Sequence, residues 1–186
     1  MGNESLDLWV RQAQKGDLEA FQRLWVTCWP RMKRLASHLC KDAAQADDLV
    51  QAAFVQAWKA LPTLKEPAAF SGWLRRILVN RTRDFWRAQK PVDSLDDDDA
   101  MEPVDTEPLV NEVLETLERQ EAVRHAVAAL PEGQRCVVAL YYLEEMEVLE
   151  VAALLELPKG TVLSRLSRGR ESLRLLLSGY SLEVNP

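Results

Sequence analysis

The chain has 186 residues with 47% hydrophobic and 28% charged content, enough apolar material for one ordinary domain or two small ones and too much for global disorder. No apolar run approaches the roughly 18 residues a membrane span needs, and three cysteines in no pattern (Cys28, Cys40, Cys136) argue for reduced thiols rather than a disulfide framework. The net charge of −6 argues against a nucleic-acid partner only until it is divided: residues 1–90 hold 15 Lys and Arg against 9 Asp and Glu, residues 91–118 hold 11 acidic and no basic residues, and residues 119–186 hold 8 against 9.

The opening MGNESLDLWVRQ lacks a basic segment followed by an apolar one, so no secretory signal is expected. Leu6 to Lys15 is periodic and closes at Gly16, which predicts a helix with a glycine stop. Asp17 is placed to cap a second helix reaching about Cys40, which Pro30 should kink or restart because it lacks an N–H. In AQADDLVQAAFVQAWKAL, Leu49, Ala53, Trp58 and Leu61 fall near one face, leaving Asp47, Asp48, Gln51 and Lys59 for others. PTLKEPAA, with two prolines, reads as a loop, and a basic helix follows from Phe70 to Lys90, stopped by Pro91.

That helix carries Arg76, Asn80, Arg83 and Arg87 at i, i+4, i+7 and i+11, a single face. Arginines suit phosphates and an amide suits a base edge, so the stripe fits DNA. Trp73, Phe85 and Trp86 offer stacking surfaces for bases, although apolar residues at helical spacing are more often packing. Residues 91–118 hold four consecutive aspartates, Asp96 to Asp99, and three prolines, which predicts a flexible acidic linker to about Thr106, with helix resuming near Leu109.

Residues 119–186 show four helical patterns, broken at Leu130-Pro131, around Glu144–Glu147 and at Leu157-Pro158-Lys159-Gly160. EVLEVAALLELPKGTVLSRLSRGRESLRLL has the layout of a helix-turn-helix, its second helix opened by Thr161. Val162, Leu166, Leu173 and Leu176 recur at core spacing, with Gly169 allowing close approach. Thr161, Ser164, Arg165 and Arg168 fall on the outer face, chemically fit to read bases, while Arg170 and Arg174 lie further round and suit phosphates. No strand-like alternation is evident. The expected fold is all-α, two small helical domains (residues 1–90 and 119–186) joined by the linker 91–118.

These motifs resemble the extracytoplasmic-function sigma factors, the smallest members of the bacterial sigma-70 family. ADDLVQAAFVQAW looks like the family's region 2.2 and FSGWLRRILVNRTRDFWR like regions 2.3 and 2.4, while LPEGQRCVVALYYLEEM and EVAALLELPKGTVLSRLSRGRESL look like region 4. The resemblance implies that Asp47, Asp48, Gln51 and Phe54 dock on core RNA polymerase. It implies that the Pro62–Ala69 loop and the helix with Asn80 open the −10 element of promoter DNA and capture an extruded base, and that Ser164, Arg165 and Arg168 read the −35 element. It further implies a linker threading cationic polymerase channels, an anti-sigma factor as inhibitor, and a cytoplasmic location, with tethering to the inner membrane where that inhibitor is membrane-bound. Two positions depart from the family pattern: Leu163 stands where a basic residue is frequent, and Met146 where Gly is frequent.

Three other classes fit the sequence less well. A helix-turn-helix regulator acting alone would share the C-terminal half but leaves the ADDLVQAAF helix and the acidic linker without a purpose, and it should shift duplex DNA unaided. An enzyme has little to work with: His38, Cys40 and Cys28 match no common zinc spacing, and His125 has no evident acid or base partner. No catalytic role, cofactor, metal or small-molecule substrate is expected. A pure interaction module overlaps with the sigma reading through the expected inhibitor.

Overall fold

The computed structural model describes residues 3–40, 42–89 and 117–181. The chain is all-α there, with no strand among the described residues, and it divides between Gln89 and Lys90 into two compact units. The aspartate run and most of the expected linker, residues 91–116, lie outside the described residues, as does the expected restart near Leu109; Leu117 and Glu118 are already helical.

Unit 1 begins with α1 (Asn3–Ala13), which ends at Gly16 in left-handed backbone, φ 93°. Asp17 then caps α2 (Leu18–Leu39), its Oδ1 accepting from the Ala20 N–H at 3.0 Å, with Glu19 in the first turn to favour the helix dipole. The helix is not restarted at Pro30 but runs through it. Pro30 and Val26, whose carbonyl loses its helical donor there, are both exposed, so water can satisfy that oxygen while Leu24, Cys28, Met32 and Leu35 stay packed on the opposite side. Asp42 caps α3 (Ala43–Ala60), accepting from the Ala44 N–H at 3.2 Å.

In α3 the buried set is Ala46, Leu49, Val50, Ala53, Phe54 and Ala57, a stripe that packs on α2 and α4. Two 3₁₀ turns, Leu61–Thr63 and Pro67–Ala69, lead into α4 (Phe70–Gln89). Helix α4 buries Phe70, Leu74, Leu78, Thr82 and Trp86, and the Thr82 hydroxyl is satisfied by the Leu78 carbonyl at 2.9 Å.

Unit 2 contains α5 (Leu117–Ala129), α6 (Glu132–Val138) continuing into a π turn at Ala139–Leu143, α7 (Val148–Leu155) and α8 (Lys159–Ser181). Its core is formed by Val127, Leu130, Val137, Leu140, Val151, Leu155, Val162 and Leu166. Among them lies Arg135, 1% exposed, whose Nη1 donates to the Ala128 and Leu130 carbonyls at 2.9 and 3.3 Å. Those oxygens belong to the frayed end of α5, so a buried guanidinium closes that helix. The helix-turn-helix spans α7 and α8, with α8 starting two residues before Thr161. Among the described residues no helix is long and apolar enough to cross a membrane, and no group of His, Cys, Asp and Glu could hold a metal.

Candidate nucleic-acid interface

Helix α4 segregates by face. Its buried stripe faces α2 and α3, which leaves Arg76 and Arg87 exposed and Asn80 and Arg83 half-exposed between them. Neither the Asn80 amide nor the Arg83 guanidinium has a side-chain hydrogen bond or ion pair among the described residues. Arg87 lies 3.9 Å from Asp84 with both side chains well exposed, an interaction worth little in water. Of the aromatics, Trp86 is buried core at 7% exposure, whereas Trp73 is half-buried, tilted against Phe70 with ring centroids 6.0 Å apart.

On α3, Asp48 and Gln51 are exposed and line a shallow depression with Val55, Lys59 and Arg81. Asp47 is half-exposed and salt-bridged to Lys33 at 2.9 Å. Phe54 is completely buried, stacked on Trp25 with centroids 4.5 Å apart, at the floor of an apolar depression that it helps to line. The family motif marks its helix, but its own position falls on the core stripe. Beside it, Leu18, Trp25, Val26, Val55 and Trp58 line the same depression between α2 and α3, with Leu18 and Val26 more than 60% exposed. Sequence reasoning missed this surface because it joins residues of two helices that are about 30 residues apart along the chain.

In unit 2, Val162 and Leu166 are buried as expected, but Leu173 is only half-buried and Leu176 is exposed, because α8 outruns the core beneath it. Gly169 lies against α6 so closely that a Cβ there would stand 2.6 Å from Val138 Cγ2. Thr161, Ser164, Arg165 and Arg168 share the outer face, and Arg168 Nη2 donates to Ser164 Oγ at 2.9 Å. The Arg165 guanidinium rests on the first turn of α6, where a Cβ on Gly133 would lie 3.3 Å from its Cζ. It makes no hydrogen bond or ion pair among the described residues, so its donors remain available. Further along, Arg170 is half-exposed and Arg174 exposed, the latter 3.8 Å from Glu171. Leu163 is half-exposed, and Met146 is buried; the left-handed residue of the turn before α7 is Glu145, φ 54°, so Met146 needs no glycine.

The family model for Sigma-70 region 2 matches residues 24–92, and that for Sigma-70 region 4 matches residues 120–173. The chain is 32% identical over 172 residues to the ECF RNA polymerase sigma-E factor of Escherichia coli K12, covering 88% of this chain and 90% of that protein. It belongs to the extracytoplasmic-function sigma factors of the sigma-70 family. This sigma factor is also 30% identical over 173 residues to the ECF RNA polymerase sigma factor SigW of Bacillus subtilis, across 89% of its own length and 92% of SigW. Among solved structures it resembles CnrH in complex with the cytosolic domain of CnrY, with a TM-score of 0.63 and 27% identity over 95% of this chain and 99% of that one. The fold is shared as well with the sigma factor RpoE of Bartonella quintana, solved with the anti-sigma factor NepR, at a TM-score of 0.63 and 24% identity over 87% of this chain and 98% of that one.

Proposed function

We propose that the two units of this sigma factor divide promoter recognition between them. Unit 1, from the start to about residue 90, docks on core RNA polymerase through the exposed Asp48 and Gln51 of α3, with Asp47 held by Lys33 at the edge. Its α4 stripe of Arg76, Asn80, Arg83 and Arg87, with Trp73 at the start of the helix, engages the −10 element while the Pro62–Ala69 loop captures an extruded base. Unit 2, from about residue 119, lays α8 in the major groove of the −35 element. Thr161, Ser164, Arg165 and Arg168 read bases, and Arg170 and Arg174 steady the backbone. The acidic segment 91–118 occupies cationic polymerase channels until RNA displaces it. The protein works by binding rather than by catalysis.

The observation that carries this reading is that a chain matching both regions 2 and 4 has Asn80, Arg83 and Arg165 at the surface with donors left unused by the described residues. An anti-sigma factor is the expected inhibitor. The binding of the related CnrH to a cytosolic domain of a second protein supports it, as does the apolar depression beside the α3 docking face. A cytoplasmic location follows, with tethering to the inner membrane if the inhibitor is anchored there.

Multi-round transcription over a promoter library with purified core polymerase tests the proposal. Promoter-specific initiation should require both core and this protein; its absence with core present sinks the reading. Arg165→Ala should lower −35-dependent initiation about tenfold or more, since a bidentate base contact is worth roughly 1–3 kcal/mol. Asn80→Ala should slow −10 opening without changing −35 preference, and opening left intact on every promoter would remove Asn80 from the mechanism.

A further inference from the structure

The loop between α3 and α4 is pinned at every third residue. Leu61, Leu64, Pro67 and Phe70 are all buried, while Pro62, Thr63, Lys65, Glu66, Ala68 and Ala69 stand in solvent between them. Apolar pins of this kind fix where the loop sits but not the orientation of its peptide groups. That second task falls to a side chain from far upstream. The Gln14 Nε2 donates to the Leu61 carbonyl at 3.2 Å and to the Leu64 carbonyl at 2.6 Å. The Leu61 oxygen also accepts from the Leu64 N–H at 3.1 Å, so one amide closes the first turn of the loop from outside. A glutamine amide has two protons and can serve both oxygens at once. Gln14 is brought there by the turn that ends α1 at left-handed Gly16, and by α1 packing on the second 3₁₀ turn.

We infer that Gln14 is a positioning residue for this loop and thereby sets how sharply the protein discriminates the unpaired −10 base. The inference rests on the reading above that the Pro62–Ala69 loop captures that base. A loop held in its binding shape before DNA arrives does not lose ordering entropy on binding, and a wrong base cannot be accommodated by reshaping it. Without the amide, the Leu61 and Leu64 carbonyls must turn toward water, and the exposed loop residues between the pins lose their fixed presentation.

The test uses holoenzyme on templates already melted at the −10 element, with either the preferred base or a substitute at the extruded position. The readout is the ratio of initiation on the two templates, which does not change with the fraction of active protein. Gln14→Met and Gln14→Glu keep the shape and remove the donors; each should lower the ratio roughly three- to tenfold, the range of about one net hydrogen bond. Hydrogen exchange in residues 61–69 should speed up in both variants while α2 and α4 exchange as before. Gln14→Lys, which restores donors, should recover the ratio. Lys65→Ala at the loop tip separates the two levels of the claim. If Lys65→Ala flattens the ratio and the Gln14 variants do not, the positioning role is wrong and the loop reading stands. If none of them moves it, the loop reading fails and the inference fails with it.

Discussion

Glu156 ends α7 in left-handed backbone, φ 55°, where its Cβ crowds the following carbonyl. Glycine has no such crowding, so Glu156→Gly should raise stability by about 0.5–1 kcal/mol, read from chemical denaturation of the full chain. DNA reading should survive, because the substitution lies in the turn and leaves the outer face of α8 intact. Burial governs the two groups that come nearest to suggesting chemistry. It raises the Cys28 thiol, making it a poor nucleophile, and it lowers the His38 imidazole with help from Arg34, keeping that ring neutral. A histidine whose folded pKa is depressed takes up its proton more readily when unfolded. Its effect on stability is therefore absent above the ordinary histidine pKa and grows as the pH falls below it. A chain with His38→Gln should show a shallower loss of melting temperature between about pH 7 and 5. An equal loss in both proteins would show that His38 is not responsible.

At the level of elements, helix α8 makes one especially close approach to α6. Gly169 lets α8 sit against Val138 of α6, and a Cβ there would come within 2.6 Å of a side chain that is itself 1% exposed. Val138 is buried and its β-branched side chain is short and stiff, so Gly169→Ala should cost about 1–3 kcal/mol, measured as the denaturation midpoint. A promoter assay at permissive temperature should then show weakened −35 use even while −10 opening persists. An alanine tolerated at no cost would mean that α6 and α8 slide past one another without consequence. On α3, by contrast, position sorts the residues by face: Asp48 and Gln51 are exposed, and Phe54, three residues further on, is buried.

Over the whole molecule, charge is unevenly dealt, with a basic N-terminal unit, a strongly acidic connection and a nearly neutral C-terminal unit. Duplex DNA attracts the first and repels the second, so the free protein should bind promoter DNA weakly. Replacing Asp96, Asp97, Asp98 and Asp99 with Asn removes four negative charges and should tighten binding by free protein about tenfold at low salt. The gain should shrink as salt rises, because exposed charges are screened. Mobility shifts across a salt series check this. Tight binding by the unaltered protein at moderate salt would favour a regulator acting without polymerase.

Much of this was local enough to be written in the sequence. The cap at Asp17, the stop at Gly16, the periodic faces of α3 and α4 and the turn before α8 all depend on neighbours within a few residues. The same holds for the outward stripe from Arg76 to Arg87, since the spacing alone puts it on one face. What only the tertiary structure decided involves partners far apart along the chain. Phe54 became core because Trp25 stacks on it, Leu176 was exposed because the core beneath α8 ends first, and Pro30 stayed inside α2 because its outer side meets water. Gln14 carries no local signal at all. Its two acceptors lie 47 and 50 residues away, and only the packing of α1 against the loop brings the amide to them.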